Sequence, residues 1–561
     1  MADEPQQRCR LDAMLPLLTL LLLPQVSAAD FDTLLRRHAS SGWSGAVLVA
    51  RAGEPVFVGG YGFADLEAGR ANDGDTLFEV ASLTKSFTAV AVVRLAQQEK
   101  LALDDALAVH VPGVPPHSRA ITLRHLLSHT SGIPRMNARG SGEELTHAML
   151  DYLGDGPQRD PGARFEYWNG GYALLAGVIE HASGKSYTEF LEAELLAPAG
   201  MNASGFTGDA NLAPEHLSVG QAREGRDRRA DEHPYGAYDF RYKGMGGLVT
   251  SARELFAFDR ALAAGLLLDS EHAELLSTPV RDDYALGWWI GRAADGSPRW
   301  SHGGSVRGFT CEFRRYPQQD GCVAVLCNTD DVKPWEIADG LEQLLLGRGK
   351  PGKNEPGVLP PEEEAACAGT YACGEGRIVV RAAPGVLWAG IEGAELLARL
   401  GADEKLAWKA DPAELTRRAV AIIDGIAHGD TELLRTSMAR RIPASWPDTM
   451  RASIWPGLLA RHGAFRGVFP LGARAHADRL EVLVAVEHEQ RTNHALVAFS
   501  PAGLELLDWN GPTFLADGRL GRLRRGTFEL TLGSDPRRFE FTLEKGQATE
   551  LRLGSLELAR E

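Results

Sequence analysis

Ser82 and Lys85 stand three residues apart in "LFEVASLTKSFTAVAVVRLAQQ", where the later residues Phe87, Val90, Val92, Val93 and Leu95 are apolar. Such a run reads as a helix buried on most sides. On a helix, positions i and i+3 are neighbours on one face. A lysine in the first turn opposes the helix dipole and costs roughly 0.3–1 kcal/mol. The same placement has a chemical use. A desolvated lysine loses its proton more easily and can then take one from the serine hydroxyl. The unpaired amides at a helix start, that of Ser82 among them, favour a developing oxyanion. Alone, the pair reads equally as a serine cap beside a snorkelling lysine. A chain this long holds on the order of one Ser-x-x-Lys by chance.

Two other groupings carry comparable chemistry. Tyr167-Trp168-Asn169 precedes a helix expected over about residues 172–182. A tyrosine beside a lysine ammonium ionises more readily and can act as a base. The plain alternative is a packed tyrosine and an asparagine helix cap. His302-Gly303-Gly304 leads into a strand. Its glycines permit close backbone approach, and the Ser305 amide could be a second oxyanion donor. The plain alternative there is a turn with a partly exposed histidine. His125 and His129 lie one helical turn apart, but no glutamate follows His125 in the His-Glu-x-x-His manner. They read as local packing, with no metal or cofactor called for. No Gly-x-Ser-x-Gly elbow is present, so a classical α/β-hydrolase site is not indicated.

The elements that must hold these residues follow from hydrophobic pattern. Residues 31–347 read as one mixed α/β unit. It opens with two strands in "SGAVLVARAGEPVFVGGYGFADLEAG", separated by a Gly-Glu-Pro hairpin signal. A helix-rich middle spans about 120–265 and ends in the serine-capped "SARELFAFDRALAAG". Strands return at "YALGWWIG", "GFTCEFRRYP" and "GCVAVLCNTD", and "WEIADGLEQLLLG" closes the unit as a helix. Strands at both ends around a helical middle predict one sheet built from the two ends. Residues 348–362 are a Gly/Pro/charge-rich linker. Beyond it, 363–410 and 511–561 share a short-strand texture, while 411–510 alternates helices with strands. This predicts a small β-barrel-like domain carrying an α+β insertion.

The 561 residues are too many for a single core, and about two to four domains are expected. The net charge of −16 and the lack of a basic run disfavour nucleic acid and anionic membrane surfaces. "MLPLLTLLLLPQVSAAD" has a short leucine core and a small-residue site, and 1–28 is expected to be a signal peptide with Met14 as an alternative start. The core is too short to span a bilayer, and no later segment qualifies. The protein is therefore expected to be exported, periplasmic or extracellular, with no stable membrane span. Its six cysteines form no C-x-x-C pair. Cys311 and Cys327, on two arms of one hairpin, read as a cross-strand disulfide or as two reduced core thiols.

In order and setting, Ser-x-x-Lys, Tyr-x-Asn and His-Gly-Gly resemble the serine β-lactamase and penicillin-binding-protein superfamily. The chain most resembles the class C β-lactamase-like branch, which includes esterases and D-amino-acid peptidases. "LRHLLSHTSGIP", "GMGGLVTSARELFAF" and "YALGWWIG" look like that branch too. The resemblance covers about residues 31–347. It implies an antiparallel sheet flanked by helices, plus a helical subdomain. It also implies that Ser82 is the nucleophile, Lys85 its activating partner and Tyr167 the general base or proton shuttle. Asn169, His302, Gly304 and Ser305 would then face a small-molecule or peptide substrate, with the Ser82 and Ser305 amides as oxyanion hole. Two departures bear on substrate. His302 stands where penicillin-recognising members commonly have the lysine of Lys-Thr-Gly, which helps bind a carboxylate. Trp168 replaces the usual serine of Tyr-Ser-Asn. Together they favour a small ester, amide or D-amino-acid peptide over a β-lactam. A β-lactamase or D,D-peptidase is the alternative, and a non-catalytic binding or sensor protein is the rival from another class. The C-terminal strands look like a lipocalin-like domain, and the insertion resembles an NTF2-like fold.

Overall fold

The structure is a computed structural model that describes residues 26–134, 151–222, 227–234, 236, 238–349, 360–373, 376–392, 411–440, 442–476, 479–489, 492–508, 517–524, 527–532, 535–544, 547–553 and 556–561. Most of the segment expected to be a signal peptide, up to residue 25, and most of the expected linker lie outside these. The chain divides into two units, with the boundary between Glu355 and Pro356.

The first unit is built on a six-stranded antiparallel sheet. Its strands are β1 (Gly45–Arg51), β2 (Glu54–Tyr61), β3 (Trp289–Arg292), β4 (Pro298–Val306), β5 (Phe309–Tyr316) and β6 (Gly321–Cys327). They lie in the order β3-β4-β5-β6-β1-β2. The two ends of the unit meet where β1 pairs with β6, from Gly45 opposite Cys327 to Ala50 opposite Cys322. This is the sheet anticipated from the strands at either end. β1 and β6 are its central strands, which is why "GAVLVA" and "GCVAVLC" are apolar without alternation. β1 turns into β2 through Ala52 and Gly53, both left-handed at φ 53° and 79°. That is the turn whose twist matches a hairpin. Glu54 and Pro55, expected in the turn, therefore begin β2. "YALGWWIG" was expected as one strand, but only its end joins the sheet. Gly287, at φ 77°, breaks the run where it packs on Ala89.

Helices cover both faces. Arg314 and Arg315 are successive residues of β5, so they point to opposite sides. Arg315 pairs with Asp259 at 2.6 Å, on α4 (Ala252–Ala263). Arg314 pairs with Glu342 at 3.3 Å, on α5 (Pro334–Leu345). α4 is capped as anticipated, with the Ser251 hydroxyl accepting the Glu254 amide at 3.2 Å. α1 (Ala28–Ser40) packs against α5 and β2. α2 (Thr84–Gln97) is buried from Thr84 to Val93 and packs against α3 (Asn169–Ser183). A helix buried on all sides needs apolar residues on all sides, which its sequence supplies.

The second unit holds a closed eight-stranded barrel. Three strands lie between Gly369 and Glu392, and five between Asp517 and Arg560. Tyr371 opposite Arg560 completes the closure. Its core includes Tyr371, Ile378, Leu387, Phe539, Leu551 and Leu558. Between the third and fourth strands the chain forms helices and a separate four-stranded antiparallel sheet, Phe465 to Asp508. The helix Pro412–Ala427 packs on that sheet through Ile422, Ile423 and Ile426.

Candidate active site

Ser82 does not lie in the first turn of the long helix. It is the middle residue of a short 3-10 turn, Ala81–Leu83, that precedes α2. Ala81 is left-handed at φ 45°. For a residue with a Cβ this conformation costs roughly 1–2 kcal/mol. It persists because neighbours fix both sides. The Val80 amide donates to Leu248 at 2.9 Å, and the Leu248 amide donates to the Thr84 hydroxyl at 3.2 Å.

Lys85 is fully buried, and its Nζ lies 2.9 Å from Ser82 Oγ. A second bond, also 2.9 Å, goes to the carbonyl of Met245. That carbonyl belongs to the "GMGGL" stretch, which is locked onto α2 where the Thr88 hydroxyl donates to Gly244 at 2.7 Å. Burial holds the Lys85 pKa well below the usual lysine value. Burial thus favours the uncharged form of this amine over what an exposed lysine would adopt.

Two tyrosine rings lie close to this amine. The Tyr167 ring centroid is 5.1 Å from Nζ and that of Tyr172 is 5.8 Å away. Tyr172 donates to Leu127 at 2.7 Å, and burial raises the pKa values of both Tyr172 and Tyr284. Tyr167 is half-buried and shares with Ser82 the lining of a cavity of about 760 Å³. Asn169, by contrast, is the exposed first residue of α3 and is not among the residues lining that cavity.

His302, Gly304 and Ser305 lie on β4 and line the same cavity. A Cβ built on Gly304 would stand 2.1 Å from the Val80 carbonyl. The glycine therefore admits the turn that carries Ser82. Val306 and Phe309 flank a two-residue turn, so alternation along the ladder leaves the Ser305 amide facing away from β5. His302 is 3% exposed, not partly exposed as a turn residue would be. Burial, reinforced by repulsion from Lys85, pushes its pKa down to about 3. Its Nδ1 donates to the Gly303 carbonyl at 2.7 Å, and Nε2 lies 3.3 Å from the Tyr284 hydroxyl.

The cavity is also lined by Glu312, Asp330, Asp331 and Lys333, and by the partly exposed Trp289 and Trp335. No spacing pattern in the sequence pointed to these. Nor did any reveal the buried pair Glu79–Arg228, whose side chains approach to 2.5 Å. Tyr242 donates to Glu79 at 2.6 Å, and Arg228 donates to the Arg307 carbonyl at 3.1 Å. Glu79 precedes the Ser82 turn and Arg307 follows Ser305. One ion pair thus links the two proposed oxyanion donors' supports. Cys311, Cys322, Cys327 and Cys367 are buried free thiols, which resolves the Cys311–Cys327 question towards reduced cysteines.

Residues 31–346 match the family described as Beta-lactamase. A penicillin-binding protein of Bacillus subtilis (strain 168) is 29% identical over 344 residues, covering 57% of this chain and 75% of that protein. PbpX of the same organism is 32% identical over 326 residues, covering 57% and 80%. A penicillin binding protein structure from Bacillus halodurans aligns with a TM-score of 0.47 at 25% identity, over 56% of this chain and 99% of that one.

Proposed function

The chain belongs to the β-lactamase family, and from that premise we propose that it is an exported serine hydrolase that forms an acyl-enzyme on Ser82. The observation that carries the reading is the fully buried Lys85 amine 2.9 Å from the Ser82 hydroxyl. Ser82 Oγ attacks the substrate carbonyl carbon while its proton passes to the neutral Lys85 amine. The new oxyanion accepts hydrogen bonds from the Ser82 and Ser305 amides, each such donor being worth about 10²–10³ in rate. Collapse breaks the bond to the leaving group, which takes a proton relayed from Lys85 through Tyr167. Water, deprotonated by the same groups, then attacks the ester carbonyl and frees Ser82 with release of the acid.

The substrate proposed is a small ester, an amide or a D-amino-acid peptide. A neutral imidazole at His302 offers no charge to a substrate carboxylate. The relatives' penicillin-binding names keep a β-lactam or D,D-peptide substrate as the competing choice. Export is proposed from the leucine-rich segment near the N-terminus.

Labelling with a serine-reactive fluorophosphonate tests the chemistry. The wild type should gain one adduct on Ser82, and Ser82→Ala should gain none while keeping the same circular dichroism. An unlabelled, folded wild type would refute the acyl-enzyme reading. A panel of p-nitrophenyl esters, D-amino-acid anilides and nitrocefin then separates the substrate classes.

A further inference from the structure

His129 ends the short helix Leu123–Leu127 region in a left-handed conformation, φ 56°, and is 2% exposed. In the sequence it reads as local packing. In the fold it contacts a segment distant in sequence, and at two points. Its carbonyl accepts the amide of Glu166 at 2.8 Å. Its Nδ1 accepts the amide of Trp168 at 3.1 Å. These are the amides immediately before and after Tyr167. The imidazole also lies against the Tyr167 ring, with centroids 4.2 Å apart and planes tilted by 36°. The following residues extend the contact. Thr130 accepts the Gly162 amide at 2.7 Å, and Gly132 accepts the Gln158 amide at 2.9 Å. The loop bearing Tyr167 is thus laid along His129–Gly132, and two of these four bonds flank Tyr167 itself.

We propose that His129 is a positioning residue for the hydrolysis, holding Tyr167 at the Ser82–Lys85 pair by bonding the backbone on both sides of it. The inference rests on Tyr167 being the proton-transfer group of the proposed function. The left-handed backbone has a clear part in it. It turns the carbonyl and the ring of one residue towards the same strand of chain. Accepting an N–H also requires Nδ1 to be unprotonated, so the imidazole serves as acceptor here and not as a charge. A misplacement of about 1 Å at a reacting group can cost about 10²-fold in rate.

The test is the rate of Ser82 labelling by fluorophosphonate in five proteins: wild type, Tyr167→Phe, His129→Leu, His129→Asn and the double variant Tyr167→Phe/His129→Leu. Thermal melting checks each fold. Leucine keeps bulk but removes the acceptor, and should slow labelling by about 10–100-fold. Asparagine places Oδ1 where Nδ1 stands and tolerates the left-handed backbone, so it should stay within about threefold of wild type. The double variant should be no slower than Tyr167→Phe alone, because the His129 effect passes through Tyr167. A folded His129→Leu protein with the wild-type rate overturns the grip, as does a double variant in which the two losses multiply. If His129→Leu does not fold, the asparagine variant decides. Near-wild-type labelling supports the role, and labelling as slow as Tyr167→Phe overturns it. A wild type that fails to label removes the acyl-enzyme reading and this role with it. A labelling wild type with an unaffected His129→Leu removes only the role.

Discussion

Acid should destabilise the wild-type protein more steeply than a His302→Gln variant. His302 is buried beside Lys85, with the rings of Tyr167 and Tyr284 as neighbours, and its pKa falls from 6.5 to about 3. Between those values the unfolded chain binds a proton that the folded protein refuses. The unfolded state then holds more protons, so stability falls as pH falls. Above 6.5 neither state is charged, and below about 3 both are, so the effect is confined to that window. Each pH unit inside it is worth about 1.4 kcal/mol. Over the whole shift the ceiling is on the order of 5 kcal/mol. Between pH 6.5 and 4.5, the accessible part, about 2 kcal/mol should be lost. Urea unfolding of both proteins at several pH values in this range provides the measurement. The difference between them cancels what they share, including unfolding of the C-terminal unit. Curves that stay parallel within about 0.5 kcal/mol would show that His302 titrates as an ordinary histidine. The inference that its site presents no positive charge to substrate would then fall with it.

Two other substitutions bear on the frame around Ser82. Gly304→Ala would set a Cβ 2.1 Å from the Val80 carbonyl and force β4 away from the nucleophile turn. Labelling should slow by at least about 10²-fold, read as a fall in the maximal rate more than in reagent affinity. Arg228→Met leaves Glu79 buried without its partner and should cost about 3–5 kcal/mol in urea unfolding, whereas Glu79→Gln/Arg228→Met should cost less than the single change. Equal losses in the single and double variants would mean that the pair is not coupled.

The contact between Ser82 and Lys85 was legible because it depends on short spacing. Ser82 and Lys85 are three residues apart, and any local helical geometry brings them together. The sheet was legible because its strands are apolar runs near both ends of the unit. The left-handed Ala81 was not, because alanine has no preference for that conformation and only the strand at Leu248 imposes it. Glu79 and Arg228 carry no mutual spacing signal, since they meet only after the middle of the chain has folded. His129 could have been found from the whole stretch "HTSG", had its carbonyls been considered as acceptors for a distant loop. Asn169 is a different case: the motif places it two residues after Tyr167, and in the fold it is the exposed first residue of α3.

The pairing of Gly45 with Cys327 also sets the order in which the molecule can assemble. The first strand of the chain, β1, has β2 as an early partner, but its other edge stays bare until β6 has been synthesised. Contacts between residues this distant in sequence are slow to form, and the exposed edge is prone to wrong pairing meanwhile. A chain that ends before residue 321 therefore has Ser82 and Lys85 but lacks the strand that joins the two ends of their sheet.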